Sequence, residues 1–396
     1  MATDLLEAGP DDAVDGVAAR FVARPSSTAE VASVMTAAAE EGLTVVPRGG
    51  GTKLGWGPPP TTADVVLDLS AMDAVLDHQA GDLIVEAQAG ATLATVRETV
   101  GKEGQRLVVD ETLPGATVGG SLAAHASGPE RLLVGTVRDL LIGVTMVRAD
   151  GVVAKAGGRV VKNVAGYDLG KLLVGSFGTL GVVTEAIFRL HPVPEAQAWV
   201  TAPVADADEA HRLAHAVVHG QSVAAAVEVD LDESGRGTIC ALLNGRHDGV
   251  TQRASAVAAT LGSAADVATA PPAGWAAYPW GSGAVGLKLT CVLSGLRDVL
   301  TAAAEVGASV RGSAGAGVLY AALPAGDEQA VAAATDRLRQ ACTAHGGSTV
   351  VVEAPPGLER SLDLWGPVPA LDLMRRVKDQ FDPDHRLAPG RFVGGI

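Results

Sequence analysis

The chain has 396 residues, 47% hydrophobic and 19% charged, with a formal net charge of −15. That length and apolar content support large buried cores and two or three domains, and they exclude general disorder. Lys and Arg are scattered through an acidic chain, which argues against a nucleic-acid footprint or a polybasic membrane anchor and leaves an ordinary solvated surface.

Cys240, Cys291 and Cys342 stand about fifty residues apart with no CxxC or Cys/His spacing, so neither an iron–sulfur cluster nor a structural zinc site is encoded. They read as small buried hydrophobes in a reducing compartment, the cytoplasm. The N-terminus carries early acids and no long apolar run, so no signal peptide is expected. The longest uncharged apolar stretch, 172–184, is too short and glycine-rich to span a bilayer, so membrane association would come through a partner.

In chain order, residues 26–28 cap a helix whose Val31, Val34, Met35 and Ala38 share one face, and Gly42 stops it before a strand over 43–47. Strands follow at 64–69 and 83–87, then a helix marked by Leu93, Val96 and Val100. Asp150-Gly151 supplies a tight turn between strands at 140–148 and 152–155. A strand over 177–190 ends at His191-Pro-Val-Pro, which places a domain boundary near 195.

Beyond it, strand patterns at 199–204, 225–229, 238–243, 285–293, 318–323 and 349–352 alternate with Ala-rich helices. They predict one sheet with helices on one face. The strand–helix–strand alternation occurs twice, hinting at two similar halves with a seam at Pro271, Pro272 and Gly274.

Glycine-dense loops carry the chemistry. Residues 46–57 (VPRGGGTKLGWG) place five glycines within nine positions after an apolar run. Such a backbone can turn its N–H groups on an anion, here a pyrophosphate, with Arg48 and Lys53 adding positive charge. Two further loops, 113–120 (LPGATVGG) and 174–185 (VGSFGTLGVVTE), are expected to serve the same ligand. The spacing matches neither GxGxxG nor the GxxxxGK[ST] phosphate loop.

His125, among small residues after the second loop, is a candidate general base, with a packed, hydrogen-bonded histidine as the alternative. Lys288 on a predicted strand and Arg391 in the tail are candidates to bind a carboxylate, with Trp365 closing the pocket. Arg375, Arg376 and Lys378 read as a solvated cationic face on the late turns of a C-terminal helix. His211, His215 and His219 share a helix face at i, i+4 and i+8, but no third ligand is evident and no metal site is expected.

The order PRGGGTK, PGATVGG, GSFGTLGVVTE resembles the FAD-binding domain of the vanillyl-alcohol oxidase and p-cresol methylhydroxylase (PCMH) superfamily. Residues 160–169 (VVKNVAGYDL), 363–367 (DLWGP) and 381–391 (FDPDHRLAPGR) are similar to the FAD-binding E subunit of bacterial glycolate oxidase. The resemblance implies an α+β fold: a PCMH-type two-subdomain FAD-binding domain over 15–195, an α+β cap domain over 196–365 with one largely antiparallel sheet flanked by helices, and a helix and tail over 366–396 returning to the FAD domain.

It also implies FAD held through Pro47, Arg48, Gly49, Gly50, Gly51, Thr52, Lys53 and Gly55 in the first loop. In the second region it implies Pro114, Thr117, Val118, Gly119, Gly120, Ser127, Gly128 and Gly135, and in the third Gly178, Gly181 and Val183. Some relatives tether flavin through a histidine in the first loop; Thr52 stands there, so FAD is expected to be non-covalent. Lys162, Tyr167 and Asp168 fall where relatives place residues beside the flavin, and a cationic Lys162 suits a reduced flavin or a substrate carboxylate. The alternative is a turn held by Asn163 and Asp168.

The isoalloxazine accepts hydride itself, so a short list of acids and bases is expected. The implied function is the FAD-binding subunit of a glycolate-type 2-hydroxy-acid oxidoreductase, passing electrons towards an iron–sulfur subunit beside a catalytic FAD subunit. Its place would be cytoplasmic or peripheral to the inner face of the cell membrane through those partners. The alternatives are a self-sufficient FAD-dependent 2-hydroxy-acid oxidase or dehydrogenase and a structural flavoprotein. Departures from the family are Ala388 where the tail usually reads Asn-Pro-Gly, Phe177 where catalytic relatives carry Glu, and no HxxGDGNxH motif.

Overall fold

The computed structural model describes residues 5–160, 168–324 and 326–396. The chain forms two units: Met1–Ser127 with Thr136–Val193 and Val368–Ile396, and Gly128–Gly135 with Pro194–Pro367.

The first unit opens with β1 (Leu6–Glu7), β2 (Phe21–Ala23), α1 (Thr28–Glu40), β3 (Val45–Arg48) and β4 (Val65–Asp68), whose strands make a sheet in the order β1-β2-β4-β3. Ser27 caps α1 by accepting the N–H of Glu30, and Glu30 reaches back to the N–H of Ser26 at 2.8 Å, a reciprocal cap. Val31, Val34, Met35 and Ala38 bury the inward face of α1 in the cluster that holds Val45, Val65 and Leu67. Each large side chain so buried contributes about 1.5–3 kcal/mol relative to exposure. β4 is central, parallel to both β2 and β3, and buried throughout, which is why it reads as an apolar run rather than an alternation.

The unit continues with β5 (Val75–Gln79), β6 (Ile84–Gln88), α2 (Leu93–Gly101), β7 (Gln105–Arg106), α3 (Val118–Ala123), α4 (Arg131–Val134, counted with the second unit) and α5 (Val137–Leu140). β8 (Leu141–Val147), β9 (Val153–Gly157), α6 (Leu169–Leu173), β10 (Val182–Arg189) and β11 (His191–Pro192) follow. An antiparallel sheet runs β5-β6-β10-β8-β9, and β7 pairs with β11. β10 alternates buried and half-buried positions, and its Ala186 and Phe188 join Val96 and Val100 of α2 in one core.

The β8–β9 turn uses Gly151 at φ +83°. A Cβ there would fall 2.0 Å from Thr36 Oγ1 on α1, so this turn and α1 meet only because the residue is glycine. The strand expected over 177–190 begins at Val182, because Phe177 and Gly178 take φ +55° and +76° and turn the chain first.

The second unit contains β12 (Ala196–Val204), α7 (Ala207–Val218), β13 (Ala226–Leu231), β14 (Gly237–Gly245), α8 (His247–Leu261) and β15 (Asp266–Ala268). The pattern then repeats as β16 (Val285–Thr290), α9 (Leu296–Glu305), β17 (Ser309–Ser313), β18 (Val318–Leu323), α10 (Glu328–Ala344) and β19 (Thr349–Glu353). The sheet order β15-β12-β14-β13-β17-β18-β16-β19 is antiparallel at every pairing. These are two βαββαβ halves joined at β13–β17 with mirrored strand orders, the split-βαβ arrangement.

Val227, Val229, Leu287, Leu289 and Leu319 face helix residues such as Leu213, Val299 and Leu338 in one core. The chain between the halves lies on the other face, where Trp275 meets Trp199 edge-on at 6.2 Å and Trp280 occupies the space a Cβ on Gly286 would need. β16 stops at Thr290 rather than 293 because a 3-10 turn over Leu293–Gly295 takes over.

The chain returns to the first unit as α11 (Leu371–Phe381) and a tail. Arg375 and Arg376 are exposed, but Lys378, expected beside them on a solvated face, is fully buried. A carboxylate and two carbonyls, described below, replace its lost hydration. Cys240 and Cys342 are buried and Cys291 half-buried, all as free thiols. Among the described residues, no helix is long and apolar enough to cross a membrane, and no group of three or more His, Cys, Asp or Glu could hold a metal.

Candidate cofactor site

The three glycine loops meet within the first unit. A Cβ on Gly49 would lie 2.3 Å from Thr117 Oγ1 and one on Gly50 2.1 Å from the Gly115 carbonyl, so the first loop sits directly on the second. Gly178 of the third loop lies against Pro47 of the first, with 3.4 Å left for a Cβ.

The cavity between them is floored by Pro47, Gly49, Gly119 and Gly120 and walled by Phe177, Gly178, Gly181 and Val183, with Leu69, Ala89, Ala123, Leu173 and Ser176 completing it. None of these described lining residues carries an acid or base. Several parts fix its floor. Thr117 caps α3 by accepting the Gly120 N–H at 3.3 Å, Glu111 accepts the Gly115 N–H at 2.7 Å, and Gly119 donates to Ala89 at 2.8 Å. Gly119 and Gly120 therefore present their Cα atoms, not free donors.

Free donors sit in the first loop. Among the described residues, the N–H groups of Gly49, Gly50, Gly51, Thr52 and Lys53 meet no acceptor. Successive unpaired N–H groups in a glycine-rich turn form a concave anion site. Lys53 lies 5.6 Å from the Trp56 ring centroid. Burial pushes its ammonium down to about 8, against the pull of Glu111.

Arg48 points elsewhere. Its guanidinium donates to Asp12 Oδ1 at 2.8 Å, Asp68 Oδ2 at 3.0 Å and the Asp11 carbonyl at 3.1 Å, and Arg24 stands 3.6 and 3.5 Å from the same two carboxylates. Arg48 and the Gly9 N–H hold the Asp12 carboxyl below its usual range. For Asp68 burial pushes upward, but Ser70 and Arg48 outweigh it and the net shift is down. Arg48 thus anchors the strand leading into the loop. Its partners lie 36 and 20 residues away in sequence and left no local signal.

The remaining candidates scatter. His125, at φ +50°, has Nε2 3.2 Å from Thr136 Oγ1, itself bonded to Asp139. Arg391 is buried, donates to the Pro58 carbonyl at 3.1 Å and lies 3.9 Å from Asp15; burial lowers it to about 10. Lys288 stands on β16 in the second unit, paired in register with Tyr320 and Val350 and alternating with buried Leu287 and Leu289. Trp365 packs on that unit's core. Ser127 Oγ accepts the Val137 N–H at 2.9 Å, while Gly128 and Gly135, the latter ending α4 at φ +83°, belong to the second unit. Gly55, Pro114 and Val118 lie within or beside the first two loops, Val118 at the start of α3. Lys162 and Tyr167 lie outside the described residues.

Residues 19–157 match the model of the FAD binding domain. The chain carries an FAD binding domain. The site fits that cofactor: the unpaired N–H groups of the first loop, with Lys53 among them, suit a pyrophosphate, and the adjoining cavity, lined by glycines and apolar side chains, suits a flat ring system.

The chain is similar to glycolate oxidase subunit GlcD of Bacillus subtilis, 32% identical over 208 residues, 52% of this chain and 44% of that protein. It is similar to D-lactate dehydrogenase of Archaeoglobus fulgidus, 35% identical over 171 residues, 43% of this chain and 38% of that protein. It is also similar to glycolate oxidase subunit GlcE of Escherichia coli, 42% identical over 106 residues, 26% of this chain and 30% of that protein. The chain thus spans less than half the length of these curated relatives.

Among solved structures, alkyldihydroxyacetonephosphate synthase superposes with a TM-score of 0.71 over 95% of this chain and 77% of that one, at 17% identity. Chitooligosaccharide oxidase does so with a TM-score of 0.68 over 97% and 95%, at 16% identity. At that identity the likeness speaks for the fold alone. The resemblance drawn from the three loops is borne out: the FAD binding domain is present and the relatives are FAD-dependent oxidoreductases.

Proposed function

We propose that the chain is the FAD-binding subunit of a glycolate-type 2-hydroxy-acid oxidoreductase, holding FAD non-covalently and relaying electrons towards an iron–sulfur subunit beside a catalytic flavoprotein. FAD, when bound, supplies the electron chemistry. The chain's own residues bind and orient it: Gly49 to Lys53 offer main-chain donors to the pyrophosphate, Lys53 adds the cation, and Gly178, Gly181 and Val183 wall the cavity. Thr52, where a tethering histidine would stand, carries no imidazole to form that link. The observation that carries the subunit reading is the cavity lining, in which no described residue can take a proton from a hydroxy acid. Similarity to relatives named as glycolate oxidase subunits supports the substrate class.

The test is anaerobic mixing of the purified chain, yellow with FAD, with glycolate and with D-lactate. The flavin absorbance of the isolated chain should stay unbleached, while in the assembled complex the same flavin should be reduced by substrate. Rapid bleaching of the isolated chain would replace this reading with a self-sufficient oxidase or dehydrogenase that uses His125, Lys162, Tyr167, Lys288 or Arg391. A flavin that stays oxidised in the turning-over complex would make the cofactor structural.

A further inference from the structure

The matched FAD binding domain ends at residue 157, yet the cavity is lined in part by the third glycine loop, and the end of the chain is bonded to that loop. Lys378 on α11 is fully buried and donates to Asp382 Oδ2 at 2.7 Å, to the Thr179 carbonyl at 2.8 Å and to the Leu387 carbonyl at 3.0 Å. Thr179 lies in the third loop, between the cavity residues Gly178 and Gly181.

The tail that Lys378 grips also reaches the first loop. Val45, at the start of β3, donates to Arg386 and accepts from Ala388, both at 2.9 Å, so the tail pairs with the strand that runs directly into the anion cradle. Asp382 Oδ2 accepts the Leu387 N–H at 2.7 Å, fixing the tail to the same carboxylate. Phe392 then returns to the third loop, its ring 5.8 Å from that of Phe177.

We infer that Lys378 is a positioning residue for FAD, an ammonium that, through Thr179 and Leu387, holds the third glycine loop and the tail-braced β3 in the one arrangement that closes the cavity. A buried ammonium keeps three acceptors at fixed distances because leaving any of them uncovers a charge in a dry site. Sub-ångström misplacement of a cavity wall weakens a cofactor's hold without unfolding its domain. The inference rests on the reading that the glycine-loop cavity takes FAD.

The experiment measures FAD dissociation from the full-length chain, by the return of flavin fluorescence on dilution, for wild type, Lys378→Met, Phe392→Ala and Val100→Ala. Val100 lies on the buried face of α2, in a core that contains no tail residue, and controls for lost stability. Lys378→Met should release FAD about tenfold faster, the size of one lost charge-assisted hydrogen bond, and should blur the fine structure of the flavin absorbance. Val100→Ala, compared at temperatures set equally far below each variant's own apo Tm, should do neither. Phe392→Ala, which leaves the buried pair intact, should speed release in the same direction and decides the matter if Lys378→Met fails to fold.

Equal release rates and unchanged spectra in Lys378→Met and Val100→Ala would make Lys378 merely structural and overturn the inference. If Lys378→Met does not fold, an unchanged rate in Phe392→Ala overturns it. A wild-type chain that binds no FAD would overturn the cofactor reading itself, a distinct failure.

Discussion

Lys53 and Arg48 are both basic residues of the first glycine loop, and burial gives them opposite duties. Lys53 stands by the cradle without a carboxylate in hydrogen-bond contact, so burial lowers it to about 8 from an ordinary 10.5. In the cofactor-free protein this means fewer protons bound folded than unfolded between those values, so apo stability rises with pH across that window. A bound pyrophosphate favours the charged ammonium, so FAD affinity should be full below about pH 8 and fall as pH rises through it. Fluorescence titrations at pH 7 and 9.5 check this, with Lys53→Met expected to be weaker and flat.

Arg48 is half of a buried charge cluster, and its effect should appear in stability. Arg48→Met leaves Asp12 and Asp68 with only the more exposed Arg24 as a shared cation and should cost about 2 kcal/mol in denaturant unfolding of the apo chain, a buried-pair loss discounted for partial exposure. Both carboxyls lie below their ordinary 3.8, so the wild type carries stability above that pH that fades as pH falls through the lowered values. In Arg48→Met that acid-side loss should shrink.

At the scale of elements, glycine decides where segments touch. Gly151→Ala would place a Cβ 2.0 Å from Thr36 Oγ1 at φ +83°, combining a clash with left-handed strain. The expected loss is about 2–3 kcal/mol in chemical denaturation, with the α1 amides losing protection in hydrogen exchange. The Asp150-Gly151 turn itself was legible in the sequence, as were the caps of α1, the strand preceding the first loop and the twofold alternation of the second unit, because turn chemistry and hydrophobic period are local.

Other features were not legible. Lys378 looked solvated because a lysine on a late helical turn usually is; the available hint was Asp382 one turn on, with burial decided by carbonyls 199 and 9 residues away. Arg48 looked like a phosphate ligand because its neighbours are glycines, whereas the parallel register that sets it opposite Asp68 is a tertiary fact.

At the scale of the whole molecule, the chain leaves its first unit, builds a second with two mirrored βαββαβ halves and comes back to brace the cradle it began with. Cofactor binding and stability should therefore be linked across both ends of the sequence. A ligand at about a hundred times its Kd adds about 2.7 kcal/mol to the folded state.

The central claim is that three glycine loops converge so that main-chain N–H groups of the first hold one FAD. It is tested most directly by titrating FAD into the apo wild type and Gly50→Ala, whose added Cβ would lie 2.1 Å from the Gly115 carbonyl. The account predicts one FAD per wild-type chain, released on acid precipitation, and binding at least about tenfold weaker in a still-folded Gly50→Ala, the cost of more than about 1.4 kcal/mol. Equal affinity in the two proteins, or no binding in either, would contradict it.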